Sequence, residues 1–189
     1  MKILFIRHAE TPINVQNLMH KTGALIGLTD LGKEQARKLI KICQENNVEK
    51  IFASPEQRTK ETAQIIGNGI DKQIEFSPKI AERNWGGWEG WPWDDIDKLL
   101  QSMRIEDRYT FVPPNGESWQ QMESRLSEFL RYLTAKKYKS VAIVTHEGVL
   151  RGLMPILLNL PKGKSLDYHF DNGSVTAFEF KDRAFTQVK

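Results

Sequence analysis

The chain has 189 residues, 40% apolar and 27% charged, with a formal net charge of +3. That length suits one well-buried domain, 1–189, and the composition is that of an ordinary globular protein. No apolar run nears the ~20 residues of a bilayer span, and no basic cluster interleaved with aromatics marks a nucleic-acid groove, so neither membrane nor nucleic acid is an expected partner.

Residues 3–6 read as a buried strand that stops abruptly at Arg7-His8. The opening apolar run is too short for a signal-peptide core, and the lone Cys43 cannot form an internal disulfide. Both point to a cytoplasmic protein. Leu28-Thr29-Asp30 offers a helix cap, and Leu31, Ala36, Leu39, Ile40 and Cys43 follow at helical spacing, with Cys43 as a small core residue. Residues 27–34 nearly fit a nucleotide-binding loop, but Glu34 stands where Ser or Thr would hold magnesium, which discards that reading. Residues 51–53 form a second strand, ended by Ser54-Pro55. A helix over 56–66 follows, which Gly67-Asn68-Gly69 is expected to stop. Residues 74–76 alternate as a third strand. Residues 77–118 break the rhythm, with four of the five tryptophans and Gly86, Gly87, Gly90, Pro92 and Pro113-Pro114. They predict an irregular Trp-rich lid over one sheet edge, with one short helix near 94–103. A long amphipathic helix covers 118–136, a buried strand 141–144 and a helix 149–158. A terminal hairpin spans 174–180 and 184–188. Asn172-Gly173-Ser174 is a glycosylation triplet, which is unused without a secretion signal.

Alternating strands and helices predict an α/β fold: a three-layer α/β/α sandwich around a mostly parallel sheet. Three strands end in functional groups: Arg7-His8, then Ser54-Pro55-Glu56-Gln57-Arg58, then Thr145-His146-Glu147-Gly148. In a parallel sheet these ends meet at one edge, where ligands bind. Arg7 and Arg58 offer planar forks for phosphate oxygens, and His146 adds a donor. The two cations favour the neutral, nucleophilic form of His8. Phosphoryl transfer needs chiefly positioning and charge neutralisation, which this set supplies with no metal and no other cofactor. Glu82, among aromatics, is the candidate proton donor, with Glu89 as its rival.

An ordered series of segments carries a resemblance. It comprises Arg7-His8-Ala9-Glu10-Thr11 with Asn14, Leu28-Thr29-Asp30-Leu31-Gly32 with Gln35-Ala36, and Ala53-Ser54-Pro55-Glu56-Gln57-Arg58-Thr59 with Thr62-Ala63. Glu82 with Gly87-Trp88-Glu89-Gly90, Gly116-Glu117-Ser118 with Arg125, and Val144-Thr145-His146 with Gly148 and Arg151 continue it. Together they resemble the histidine phosphatase superfamily, which contains cofactor-dependent phosphoglycerate mutases and many small phosphatases. The resemblance implies a phosphoglycerate mutase-like sandwich, phosphorylation of His8, and Glu82 as the acid with Glu89 structural. It also implies that Asn14, Thr22 and Gly23 contact phosphate or substrate. Three departures stand out. Ala9 replaces the usual glycine, Glu147 follows the second histidine where a small residue is usual, and residues 22–28 lack the aspartate and proline often found there. His20 and His169 fall outside the signature and read as surface or supporting residues. Trp85, Trp88, Trp91 and Trp93 read as a packed lid. Arg83, Arg104, Arg108 and Arg151 read as surface or structural, with one available for a second anion.

The expected activity is metal-independent hydrolysis of a small phosphorylated metabolite through a phosphohistidine. Sugar phosphates, phosphoglycerates, a nucleoside-like phosphate such as α-ribazole phosphate and phosphoamino acids all fit. One rival is phosphoglycerate mutase-type transfer by the same residues; such relatives carry extra shielding segments for which this length leaves little room. Another is an inactive phosphate-binding regulatory module. Such modules usually lose the nucleophile or an arginine, and here all five central residues are present. The sequence carries no signal of oligomeric state.

Overall fold

The computed structural model describes residues 1–188. Its strands are β1 (Lys2–Arg7), β2 (Lys50–Ala53), β3 (Ile74–Phe76), β4 (Ser140–Thr145), β5 (Val175–Lys181) and β6 (Ala184–Val188). They form one sheet in the order β3-β2-β4-β1-β5-β6. The pairs joining β3, β2, β4 and β1 are parallel, while β5 runs antiparallel to β1 and closes a hairpin with β6. At the hairpin turn Asp182 and Arg183 both hold positive φ, 51° and 62°. That is the handedness a two-residue turn needs to follow the strand twist.

The helices are α1 (Pro12–Val15), α2 (Asp30–Glu45), α3 (Gln57–Ile70), α4 (Trp93–Gln101), α5 (Ile105–Thr110), α6 (Trp119–Thr134) and α7 (Glu147–Leu158). Alternation along the central strands divides the core. Ile3, Phe5, Val141 and Ile143 face α6 and α7, packing against Leu126, Phe129, Leu150 and Leu153. Leu4, Ile6, Ala142 and Val144 face α2 and α3, packing against Leu39, Cys43, Ala63 and Ile66. The sheet is therefore covered on both faces, as parallel sheets must be. Among the described residues no helix is long and apolar enough to cross a membrane.

Some elements differ from expectation. Helix α3 runs through Gly67 and Gly69 to Ile70 and stops at Asp71, in the left-handed region with φ 53°. These glycines serve packing. A Cβ on Gly69 would lie 2.5 Å from the Ile40 side chain of α2, and one on Gly67 would lie 3.0 Å from the Lys72 carbonyl. Within 77–118 there are two helices, α4 and α5, and two short 3₁₀ turns, Pro78–Ile80 and Gly86–Trp88. Helix α1 has only four residues, too few to show a period. Its signal is the reciprocal cap between Thr11 and Asn14. Helix α7 begins two residues early because His146 serves as its N-cap residue.

The register aligns the strand ends that matter. Arg7 pairs with Thr145 and Ala53 with Val144, so the segments leaving β1, β2 and β4 emerge side by side. The loop after β1 is then clamped by the start of α2. Thr29 caps that helix at the Gly32 amide, and a Cβ on Gly32 would lie 2.2 Å from the Glu10 carbonyl oxygen. That neighbour is backbone and cannot swing away. In Gly32→Ala overpacking against unyielding backbone should cost towards the upper end of about 1–3 kcal/mol and alanine's better helix propensity returns about 1, for a net destabilisation of up to about 2 kcal/mol. Urea unfolding checks this; equal or greater stability would show that the clamp is loose.

Candidate active site

Strand β1 delivers Arg7 and His8 to the sheet edge. The His8 amide donates to the Thr145 carbonyl at 2.8 Å, and the Ala9 amide donates to Thr62 Oγ1 at 3.1 Å. Ala9, the departure from glycine, is fully buried against Leu28 and Ala36. The His8 ring is buried, and its Nδ1 lies 2.8 Å from the Ala9 carbonyl. A carbonyl only accepts, so Nδ1 carries the proton and the lone pair of the neutral ring sits on Nε2. Burial, then the charges of Arg58 and Arg7, hold the His8 pKa well below the ordinary histidine value. The ring is neutral and its free nitrogen is nucleophilic.

The β2–α3 turn supplies Ser54, Glu56 and Arg58, and the β4–α7 junction supplies His146. Arg58 is buried and ion-paired with Glu56. The His146 ring stands 5.4 Å from that of His8, with Nε2 at 2.9 Å from Ser54 Oγ and 3.4 Å from Glu56 Oε2. Arg7 Nη1 donates to the Phe170 carbonyl at 2.5 Å and to Glu147 Oε2 at 2.9 Å. Arg7 Nε, Arg58 Nε and His146 Nδ1 are buried and have no hydrogen-bond partner among the described residues. Buried polar nitrogens in that state are costly. Three of them around one neutral imidazole make a receptor for a multiply charged anion.

Arg7, His8 and Glu82 line one cavity of about 390 Å³, whereas Arg58 and His146 are buried beside His8 and are not among its lining residues. Glu82 Oε1 accepts from the Arg83 amide at 2.8 Å and its Oε2 from the Gly148 amide at 3.3 Å. Burial raises its pKa, and those amide bonds and the Arg58 charge offset the rise only in part. Arg125 forks onto Glu117 with both contacts at 2.7 Å and donates to the Glu82 carbonyl at 3.1 Å. Arg83 lies buried between Trp85 and Trp119, at 4.4 and 5.3 Å from their ring centres. The lobe is thus pinned to the acid's own backbone. Trp85 and Trp88 pack with Ile96 and Leu100, while Trp85, Trp93 and Trp119 form an aromatic wall of the cavity.

The remaining residues divide. Asn14 lines the cavity; Thr22 and Gly23 do not. Thr22 is exposed and donates to Glu89 Oε1 at 2.5 Å, and Gly23 faces open space. The reason lies just upstream. Met19 exchanges backbone hydrogen bonds with Trp91 and Gly90, which fixes 17–20 as the wall and carries 21–23 outward. His20 therefore enters the site, which its sequence context gives no way to foresee. Its ring stands 5.6 Å from that of His8, and Nε2 lies 2.9 Å from Thr11 Oγ1. The Thr11 hydroxyl donates to Asn14 Oδ1 at 2.8 Å, so it accepts from His20 Nε2. Burial and the two arginines lower the His20 pKa to about 3. Asn172 is a second such residue. Its Nδ2 donates to the His8 carbonyl at 3.0 Å and to Asn14 Oδ1 at 3.3 Å. Arg151 and His169 also line the cavity, whereas Arg104 is exposed beside Glu106.

A Cβ on Gly148 would lie 2.4 Å from Glu82 Oε1. A crystal structure of Gly148→Ala should show the Glu82 carboxylate displaced from the N-terminus of α7. An unmoved carboxylate would mean that this contact does not set its position.

Comparison with known proteins identifies the family and the fold. A profile of the histidine phosphatase superfamily, branch 1, matches residues 3–189. The adenosylcobalamin/alpha-ribazole phosphatase of Escherichia coli K12 is 26% identical over 98% of this chain and 93% of that protein. Phosphoserine phosphatase 1 of Hydrogenobacter thermophilus is 25% identical over 97% of this chain and 88% of its own length. The crystal structure of the alpha-ribazole phosphatase from Shigella flexneri superposes with a TM-score of 0.87 at 27% identity, covering 100% of this chain and 95% of that one. On the strength of a match that runs from β1 to the C-terminal hairpin, the chain belongs to the histidine phosphatase superfamily, branch 1.

Proposed function

We propose that the protein hydrolyses a small phosphomonoester in two in-line steps through a phosphohistidine on His8, with no metal in either step. The observation that carries this reading is the set of three buried, unpartnered nitrogens on Arg7, Arg58 and His146 around a neutral His8. In the first step the His8 Nε2 lone pair forms the N–P bond as the P–O bond to the alcohol breaks, and Glu82 gives its proton to the leaving oxygen. In the second, the Glu82 carboxylate takes a proton from water. The water oxygen bonds to phosphorus, the N–P bond breaks, and phosphate leaves a neutral His8. Arg7 and Arg58 neutralise the equatorial oxygens throughout, and His146, held neutral by burial and by Arg58, adds a hydrogen bond. Asn14 adds a polar contact, whereas Thr22 and Gly23 lie outside the cavity. Two guanidinium groups beside the imidazoles also disfavour a divalent cation at this point.

A cavity of about 390 Å³ holds a phosphate and an alcohol of modest size. The relatives named for α-ribazole phosphate and phosphoserine support a small phosphorylated metabolite as the partner. Cys43 is the lone cysteine and forms no internal disulfide, which suits a reducing compartment such as the cytoplasm.

Steady-state hydrolysis of a phosphomonoester panel in chelator tests the reading. Turnover should survive chelator and be lost in His8→Ala; a variant with substantial residual activity would overturn the mechanism. The pH profile gives a second check. Attack needs neutral His8, whose pKa lies well below 6.5. Hence kcat/KM, corrected for ionisation of the ester, should persist as pH falls through that value. Leaving-group protonation needs protonated Glu82, whose pKa is raised. The same quantity should then decline as pH rises through the raised value. A loss of activity centred near pH 6.5 on the acid side would contradict the state assigned to His8.

A further inference from the structure

Glu147 is a charge the two-step reaction does not need. It is the first residue of α7, and its side chain turns into the cavity. Oε2 lies 2.9 Å from Arg7 Nη1 and Oε1 lies 2.8 Å from His169 Nδ1. On the far side of that imidazole, Asp171 Oδ1 stands 3.3 Å from Nε2. Two carboxylates therefore share one wall of a cavity whose floor is built to hold a phosphate dianion. A carboxylate on a phosphate-binding arginine repels the same dianion and weakens the pull of the arginine. Arg7 itself and Arg151, which also feels the Glu147 charge, offset part of that repulsion, and a substrate that brings a positive charge of its own to that wall offsets more of it.

The wall lies on the leaving-group side. Glu82, the proton donor, accepts from the Gly148 amide, one residue beyond Glu147. An alcohol leaving past Glu82 passes Glu147. Arg151, four residues on along α7 and also in the cavity, offers a cation beyond it. The aromatic wall with Trp93 and Met19 borders the same cavity.

We propose that Glu147 is a specificity-determining residue that selects phosphomonoesters whose alcohol carries an ammonium group a few bonds from the ester oxygen. A phosphorylated amino alcohol or hydroxy amino acid is the substrate class. The ammonium sits against Glu147 and Asp171, and Arg151 takes a carboxylate where the substrate has one. This assignment rests on the phosphatase reading and adds the leaving group to it.

O-phospho-L-serine and 3-phospho-L-glycerate provide the test, because at matched configuration they differ only in an ammonium where the other has a hydroxyl. The wild type should favour phosphoserine in kcat/KM by about tenfold or more, and Glu147→Gln should bring the ratio to within about twofold of unity. A ratio taken within one protein does not depend on how much of the variant is folded. If Glu147 only orients Arg7, both esters lose rate together and the ratio stays put, which overturns the proposal. A wild type that turns over both esters equally overturns it as well, with the phosphatase reading intact. No turnover of any phosphomonoester by the wild type overturns that reading, and the specificity assignment with it.

Discussion

A neutral imidazole buried between two guanidinium groups is the constraint on which the rest of this structure depends. His8 must offer a lone pair at Nε2 while lying among cations, and both conditions follow from where β1 ends. The Ala9 carbonyl fixes the proton on Nδ1, and Thr145 fixes the backbone. Burial and the charges of Arg58 and Arg7 keep the imidazole unprotonated. In the proposed reaction one set of charges serves both attack and charge stabilisation.

Such a concentration of buried arginine needs compensation, and each guanidinium has its own. Arg58 is held by Glu56, Arg7 by Glu147 and the Phe170 carbonyl, and Arg125 by the fork of Glu117. Arg83 has two backbone carbonyls and two tryptophan faces. The partners are not equivalent. Glu117 and the Arg83 clamp stiffen the segment that carries Glu82, a structural role. Glu56 and Glu147 stand within the phosphate site, where a carboxylate is costly. Glu56 also approaches His146 at 3.4 Å, so it orders two phosphate-facing groups at once. Glu147 orders only one, and it opens onto the space of the leaving group.

Much of this was legible in the sequence because it rests on strand ends. Arg7-His8, Ser54 to Arg58 and Thr145-His146 each close a short apolar strand, and parallel pairing of β1, β4 and β2 brings them together by register alone. Glu82 was legible from its setting among aromatics and from its resemblance to a family segment. What escaped depends on contacts between loops. His20 enters the site because Met19 is pinned to Trp91 and Gly90, a pairing no local pattern encodes. Thr22 and Gly23 leave it for the same reason. Asn172 reaches the His8 carbonyl because β5 pairs antiparallel with β1, and nothing within the hairpin names its partner strand. The glycines of α3 look like a helix stop and instead permit close packing, a distinction that only the neighbouring helix decides. Glu147 was visible as a departure, but its direction was not. The Arg7 ion pair settles it.

The covalent intermediate on His8 is the species that the whole site serves. The direct measurement is to mix enzyme with excess phosphomonoester, quench within the first turnovers in alkali, where phosphohistidine survives, and map the phosphoryl group by mass spectrometry. The phosphoryl group should be found on the peptide carrying His8, and not there in His8→Ala. Phosphate on another residue, or steady turnover with no phosphoenzyme at any time, would contradict it.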